Sequence, residues 1–287
     1  MPRRPNFVAA RADAHIPDPP LVRTRSGRRT LEFEPGDIQS EMLLARPHAL
    51  ALAYTRAMMG FALFVPRPRH ILMVGLGGGS LVKFCHRHFP ECRITVVELR
   101  ADVIALRDQF MVPPDDARLR VIHADAVDYI GSLAARAGRP AAGPLADGFD
   151  VVLVDGFGPD GLPSALAGGA FYRDCRAVLR EGGVLVANVF TYDPRYRAVL
   201  EALDAVFGGR ICWLDKAAGN NRIIFALNVE GPAGAALPAA RLQHYLARRN
   251  GLGLGWLNRL CVRLVIAWIA WRSVLAPPQS GPLEPRL

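Results

Sequence analysis

The chain has 287 residues, 51% apolar and 21% charged, which fits one domain of ordinary globular composition with flanking pieces rather than a disordered or membrane-dominated chain. Its net charge of +9 is gathered at the ends: residues 1–30 carry seven Arg against two Asp and residues 231–287 seven Arg against one Glu, so the stretch between is slightly acidic. Arg replaces Lys along the whole chain, with Lys only at 83 and 216, and no basic stripe marks the body, so no nucleic-acid partner is expected.

Residues 1–29 are rich in Arg and Pro, lack periodicity and carry no apolar run after their arginines. They are expected to be a disordered basic arm and not a signal peptide. Residues 30–34 alternate like a half-buried strand, Pro35-Gly36-Asp37 supplies a turn, and residues 38–44 read as a second strand. Residues 48–64 carry Leu50, Ala53, Tyr54, Met58, Phe61 and Leu63 at helical spacing, and Pro66 and Pro68 end that helix. Residues 30–66 thus form a small β element and a helix ahead of the main domain.

From residue 67 to 230 the pattern becomes that of a buried parallel sheet. Continuous apolar runs at 71–74, 94–97, 119–122, 151–154, 184–189 and 223–227 read as strands covered on both faces. Helical stretches at 80–88, 102–110 and 171–179 lie between them, and 210–214 joins 223–227 through Gly219-Asn220-Asn221 as a closing antiparallel hairpin. Strands alternating with helices predict an α/β fold: a Rossmann-like, doubly wound, mostly parallel seven-stranded sheet. Residues 231–287 read as a basic, Trp-rich helical tail. Its uninterrupted apolar stretch, 264–271, is too short to span a bilayer. A helix packed on its own domain is the preferred reading, with weak membrane-surface contact or partner docking as the alternative.

The five cysteines, at 85, 92, 175, 212 and 261, form no CxxC pair, which indicates neither a disulfide framework nor a zinc ribbon and fits a reducing, cytoplasmic setting. Cys85, His86, His88 and Cys92 crowd onto one predicted helix, where only a facing element could complete a metal shell. The clustering is read as chance, and no metal is expected.

Four features carry chemistry. Gly75-Leu76-Gly77-Gly78-Gly79 follows the first buried strand and precedes a helix, so Gly75, Gly77 and Gly79 can bring backbone amides close to a ligand. Ser80 stands where a dinucleotide fingerprint needs its last glycine, which argues against NAD. Glu98 ends the next strand, where a carboxylate can accept from ribose hydroxyls, and Asp125-Ala126 follows the third, where it can meet an adenine edge. Asp155 ends the strand at 151–154 and opens a Gly- and Pro-rich loop through Pro163. There a carboxylate can hold or deprotonate an amine, and the loop, with Asp160 on it, can close over a substrate.

Residues 36 to about 188 resemble the spermidine synthase (polyamine aminopropyltransferase) family, especially its divergent spermidine synthase-like branch with a class I S-adenosylmethionine methyltransferase-like fold. The resemblance rests on Gly36-Asp37-Ile38-Gln39-Ser40, the glycine turn, Val96-Val97-Glu98-Leu99, His123-Ala124-Asp125-Ala126, Asp155 with its loop, and Gly182-Gly183-Val184-Leu185-Val186. It implies that Gln39 contacts the nucleoside, Glu98 binds ribose, Asp125 and Ala126 border adenine, and Asp155 assists deprotonation of the attacking amine. It also implies decarboxylated S-adenosylmethionine as donor, putrescine or another amine as acceptor, and a homodimer through the N-terminal strands.

The chain departs from the family pattern in three places. Gly78 stands where members usually carry the acid of GGGDG, and Gly158 stands at the second acid of D-S-x-D-P. Both acids pair with cationic amines in the family. The usual Tyr-x-Glu is absent, since Tyr54 precedes Thr55-Arg56, and Asp160 is the nearest candidate to replace a lost acid by a shifted loop. The missing charge at Gly78 motivates methyl transfer from intact S-adenosylmethionine as the alternative reaction. A non-catalytic nucleoside-binding or membrane-associated module is the third reading.

Overall fold

A computed structural model describes residues 19–137, 148–156, 161–229 and 255–275. The chain opens with a three-stranded antiparallel sheet of β1 (Leu21–Arg25), β2 (Arg28–Glu32) and β3 (Ile38–Leu43). Residues 21–29 are therefore not part of a disordered arm, a correction to the sequence expectation. The two-residue turn Ser26-Gly27 has φ of 50° and 72°, the positive values that match the twist of paired strands. The register sets Val22 opposite Leu31, both against the core, while Arg23, Arg25 and Arg28 are exposed. The dense Arg content hid this single apolar alternation.

The helix expected over 48–64 is also shorter. Arg56 Nη1 donates to the carbonyls of Leu50 and Ala51 at 2.6 Å each, and Leu52 stays extended, so α1 (Ala53–Met58) starts late and tightens into a 3₁₀ turn over Met59–Leu63. A guanidinium that takes those carbonyls competes with helix propagation.

The main sheet has seven strands in the order β6-β5-β4-β7-β8-β10-β9. They are β4 (His70–Val74), β5 (Arg93–Glu98), β6 (Leu119–His123), β7 (Phe149–Val154), β8 (Leu179–Phe190), β9 (Ile211–Ala218) and β10 (Asn221–Asn228). The pairs from β6 through β8 are parallel, and β10 runs antiparallel to both β8 and β9, as the predicted hairpin requires. The helices are α2 (Ser80–His88), α3 (Ala101–Ala105), α4 (Ala126–Ala134), α5 (Ser164–Ala167), α6 (Gly169–Val178), α7 (Tyr196–Phe207) and α8 (Gly255–Leu275). Every residue of β4 is buried, with Ile71 and Met73 facing one apolar layer and Leu72 and Val74 the other. This two-sided burial is why the run lacks polar alternation.

α3 stops well before the predicted 110. Met111 adopts φ 54°, the Phe110 ring turns into the core, and the Phe110 carbonyl accepts from the buried Lys83 Nζ at 2.6 Å. Burial brings the Lys83 ammonium down to about 8. On α2, Cys85 lies in the core beside Met59 Sδ, His86 faces Asp116 and His88 stacks near Phe84, so the clustered Cys and His residues point to different surroundings. α8 lies against β9, α1 and the 3₁₀ turn, burying Val262 and Ile269, with Arg272 donating to the Pro66 carbonyl at 3.0 Å. Among the described residues no helix is long and apolar enough to cross a membrane.

Candidate active site

The carboxyl ends of β6, β5, β4, β7 and β8 lie side by side, and their order in the sheet sets the order of the site. Asp125 follows β6, Glu98 ends β5, the glycine turn follows β4, Asp155 follows β7, and Asn188 sits on β8. Adjacent strands are about 4.8 Å apart, so roughly 10 Å separates the β6 end from the β4 end. These groups line one cavity of about 420 Å³.

The glycine turn is dictated by close approach. Gly75, Gly77 and Gly79 have φ of 93°, 51° and 64°. A Cβ on Gly75 would stand 2.4 Å from the Asp155 carbonyl oxygen, and one on Gly79 would stand 2.3 Å from Val112 Cγ2. Only glycine meets both demands. The Asp155 amide donates to the Val74 carbonyl at 3.0 Å, which ties the ends of β4 and β7 together beneath the cavity.

The two carboxylates on the β5–β6 side are fixed by backbone. Glu98 Oε2 accepts from Leu76 N–H at 2.7 Å and Oε1 from Arg100 N–H at 2.8 Å, while the residue is only 8% exposed. Each oxygen has a second lone pair for a hydroxyl donor. Asp125 Oδ1 accepts from Val127 N–H at 2.7 Å and caps α4, which begins at Ala126, and the second oxygen takes no part in that cap.

Asp155 is held differently. Its Oδ1 accepts from Asn188 Nδ2 at 2.9 Å, and Asn188 Oδ1 in turn accepts from Asn221 Nδ2 at 2.8 Å. The Tyr54 hydroxyl faces it from α1 and lies 3.3 Å from the Gln39 carbonyl. Burial pushes the Asp155 carboxyl up to about 6, against the opposing pull of hydrogen bonds from Asn188 and Tyr54. Burial, and then the neighbouring Asp155 charge, hold the Tyr54 phenol well above its ordinary value. Asp155 is therefore ionised at neutral pH yet more basic than an ordinary carboxylate, which suits a proton acceptor.

Gln39 reaches the cavity from β3, and its Nε2 donates to Asp37 Oδ2. The structure thus brings together Gln39, Tyr54, the glycine turn, Glu98, Asp125, Ala126 and Asp155. Asp160 and Gly158 lie outside the described residues. Sequence reasoning gave no role to Asn188, Asn221 or Asp37. The first had a visible signal, an amide inside the apolar run 184–189. Asn221 read as a turn residue, because its partner is set by strand register.

Residues 51–197 match the spermine/spermidine synthase domain. The polyamine aminopropyltransferase of Neisseria meningitidis is 36% identical over 200 residues, covering 69% of this chain and 72% of that one. That of Chromobacterium violaceum is 34% identical over 235 residues, 81% of this chain and 85% of that one. The mouse eEF1A lysine and N-terminal methyltransferase is 32% identical over 186 residues, 61% of this chain but 26% of that longer protein. Among solved structures, a probable spermidine synthase from Corynebacterium glutamicum superposes with a TM-score of 0.60 at 20% identity, covering 75% of this chain and 78% of that one. Human methyltransferase-like protein 13 in complex with SAH gives 0.54 at 24% identity, covering 80% and 95%. These structures share the fold. On the domain match and the two bacterial aminopropyltransferases, the chain belongs to the spermine/spermidine synthase family.

Proposed function

We propose that this chain transfers the aminopropyl group of decarboxylated S-adenosylmethionine to a small amine such as putrescine. The observation that carries the reading is the Asp155 carboxylate, basic and oriented by Asn188, at the strand end next to the glycine turn. The adenosyl part of the donor fits the β6–β4 side, with Asp125 and Ala126 at the base, Glu98 at the ribose hydroxyls and Gln39 over the nucleoside. The sulfonium then lies at the glycine turn.

The neutral amine nitrogen attacks the methylene carbon bonded to sulfur, forming a C–N bond as the C–S bond breaks. The bonding pair stays on sulfur, and methylthioadenosine leaves uncharged. The extra proton on the new secondary ammonium passes to Asp155 and then to solvent. Sulfur is already a good leaving group, so the protein's contribution is alignment and keeping the amine unprotonated. Tyr54 packs beside the carboxylate and supplies one wall of the acceptor side.

Purified chain incubated with the decarboxylated donor and a panel of mono-, di- and polyamines is expected to release methylthioadenosine with at least one of them. Release with none overturns the reading. A second reading, methyl transfer from intact S-adenosylmethionine, is favoured by the match to the eEF1A methyltransferase and by the missing acid at Gly78. Calorimetry separates the two: aminopropyl transfer expects tighter binding of the decarboxylated donor, methyl transfer the reverse.

A further inference from the structure

Position 78 is closed to an acid by its neighbours. A Cβ there would stand 2.6 Å from Ser40 Oγ and 2.8 Å from Phe110 Cδ1. Neither neighbour is easily displaced: Ser40 is buried on β3, and Phe110 is fully buried with its carbonyl held by Lys83 Nζ. The same crowding shows that the start of β3 lies over the second half of the glycine turn, since Ser40 Cβ is also 3.8 Å from the Cβ position of Gly77.

That segment carries a carboxylate. Asp37 lines the cavity together with Gln39, Ser40 and Gly77, and it accepts from Gln39 Nε2, two residues along the same strand edge. The other cavity-lining carboxylates have settled places: Asp125 and Glu98 at the ends of β6 and β5, and Asp155 on the β7 side. Asp37 reaches the cavity from the turn just before β3, outside the main sheet.

We infer that Asp37 is the anionic partner of the donor's ammonium tail, supplied by the N-terminal hairpin in place of the acid that Ser40 and Phe110 exclude from position 78. A single carboxylate there attracts a tail ending in an ammonium and repels one that also carries a carboxylate. Asp37 thereby becomes the residue that selects the decarboxylated donor over intact S-adenosylmethionine. The assignment rests on the aminopropyl reading of the site and concerns binding alone.

Calorimetry on the full chain tests it with two probes, decarboxylated S-adenosylmethionine and methylthioadenosine, which share the adenosyl group and differ in the charged tail. Asp37→Asn keeps an acceptor for Gln39 but removes the charge. It is expected to weaken the decarboxylated donor about three- to fivefold, the upper range of a solvent-bordered ion pair, while methylthioadenosine changes by less than about twofold. Asp37→Glu is expected to recover most of the loss. An unchanged donor affinity in Asp37→Asn, or an equal loss for both probes, overturns the assignment. Failure of the aminopropyl reading is separately visible. A wild-type chain that releases no methylthioadenosine from any amine, yet binds the ammonium donor more tightly than Asp37→Asn does, loses the transfer reaction and keeps the Asp37 role.

Discussion

The two halves of the cavity are built by different means. On the β6–β4 side the cavity-lining carboxylates are held by main-chain amides: Glu98 by Leu76 and Arg100, and Asp125 by Val127. On the β7–β8 side the geometry is passed from side chain to side chain, from Asn221 to Asn188 to Asp155, with Tyr54 arriving from the N-terminal region. Main-chain anchors survive substitution of their neighbours, so the proposed nucleoside half is tied to the fold itself. The reacting half can be retuned by single residues without disturbing the sheet. This fits relatives of both aminopropyl- and methyltransferase name, since one fold can host more than one chemistry.

If the nucleoside half is inseparable from the fold, damage there must be global. Gly75→Val places side-chain atoms against the Asp155 carbonyl, already 2.4 Å from the Cβ position, at a φ of 93°. A loss of about 3 kcal/mol or more in unfolding free energy is expected, with methylthioadenosine binding abolished. Thermal denaturation and calorimetry read the two. A stable variant that merely binds less well would break the contrast between the halves.

Asp155→Asn should show the opposite profile. The turnover number is expected to fall about 10²- to 10⁴-fold, the usual range for loss of a general base, while methylthioadenosine affinity stays within about threefold. Stability should rise. Because the folded carboxyl titrates near 6 and the unfolded one near 4, the native state binds more protons between those values. Asp155 thus contributes stability fully present below about pH 4 and lost as pH rises through about 6. Asp155→Asn removes that dependence and is expected to be more stable than wild type at pH 7, by up to about 3 kcal/mol. Urea unfolding at pH 4, 6 and 8 measures the difference. A wild-type chain that gains stability from pH 4 to 6 relative to the variant would contradict the raised carboxyl.

Restoring the family's acid is a smaller perturbation and probes the boundary between the halves. Gly78→Asp must displace Ser40 Oγ or the Phe110 ring. It is expected to cost about 1–3 kcal/mol, as overpacking does, and to leave affinity for the decarboxylated donor no better than wild type. A gain in donor affinity at unchanged melting temperature would show that the turn has room for the acid after all.

How much of this could be read in advance follows the same division. Gly75, Gly77, Gly79, Glu98, Asp125 and Asp155 stand at the ends of apolar runs, so local pattern alone placed them at the sheet's carboxyl edge. Asn221 meets Asn188 only because β8 and β10 pair with Asn221 opposite Phe190, a register that no stretch of sequence specifies. β1 was hidden by its arginines, which are compatible with an edge strand but not diagnostic of one. Beyond the early end of α3, the Phe110 carbonyl is bound by Lys83, which is 27 positions earlier in the chain. Contacts of that range are set by packing, and local periodicity carries no trace of them.

The smallest effect is expected at the far end of the amide chain. Asn221 touches Asp155 only through Asn188, so Asn221→Ala should lower turnover about threefold, consistent with the loss of one ordinary hydrogen bond of about 0.5–1.5 kcal/mol. Asn188→Leu removes the contact that lowers the Asp155 carboxyl, so its acid limb in the kcat profile should move to higher pH. If the two amides act as one relay, the double variant will be no worse than Asn188→Leu alone, because Asn221 then has nothing left to orient. Additive losses would mean that Asn221 acts on the acceptor directly, from the cavity wall that it also lines.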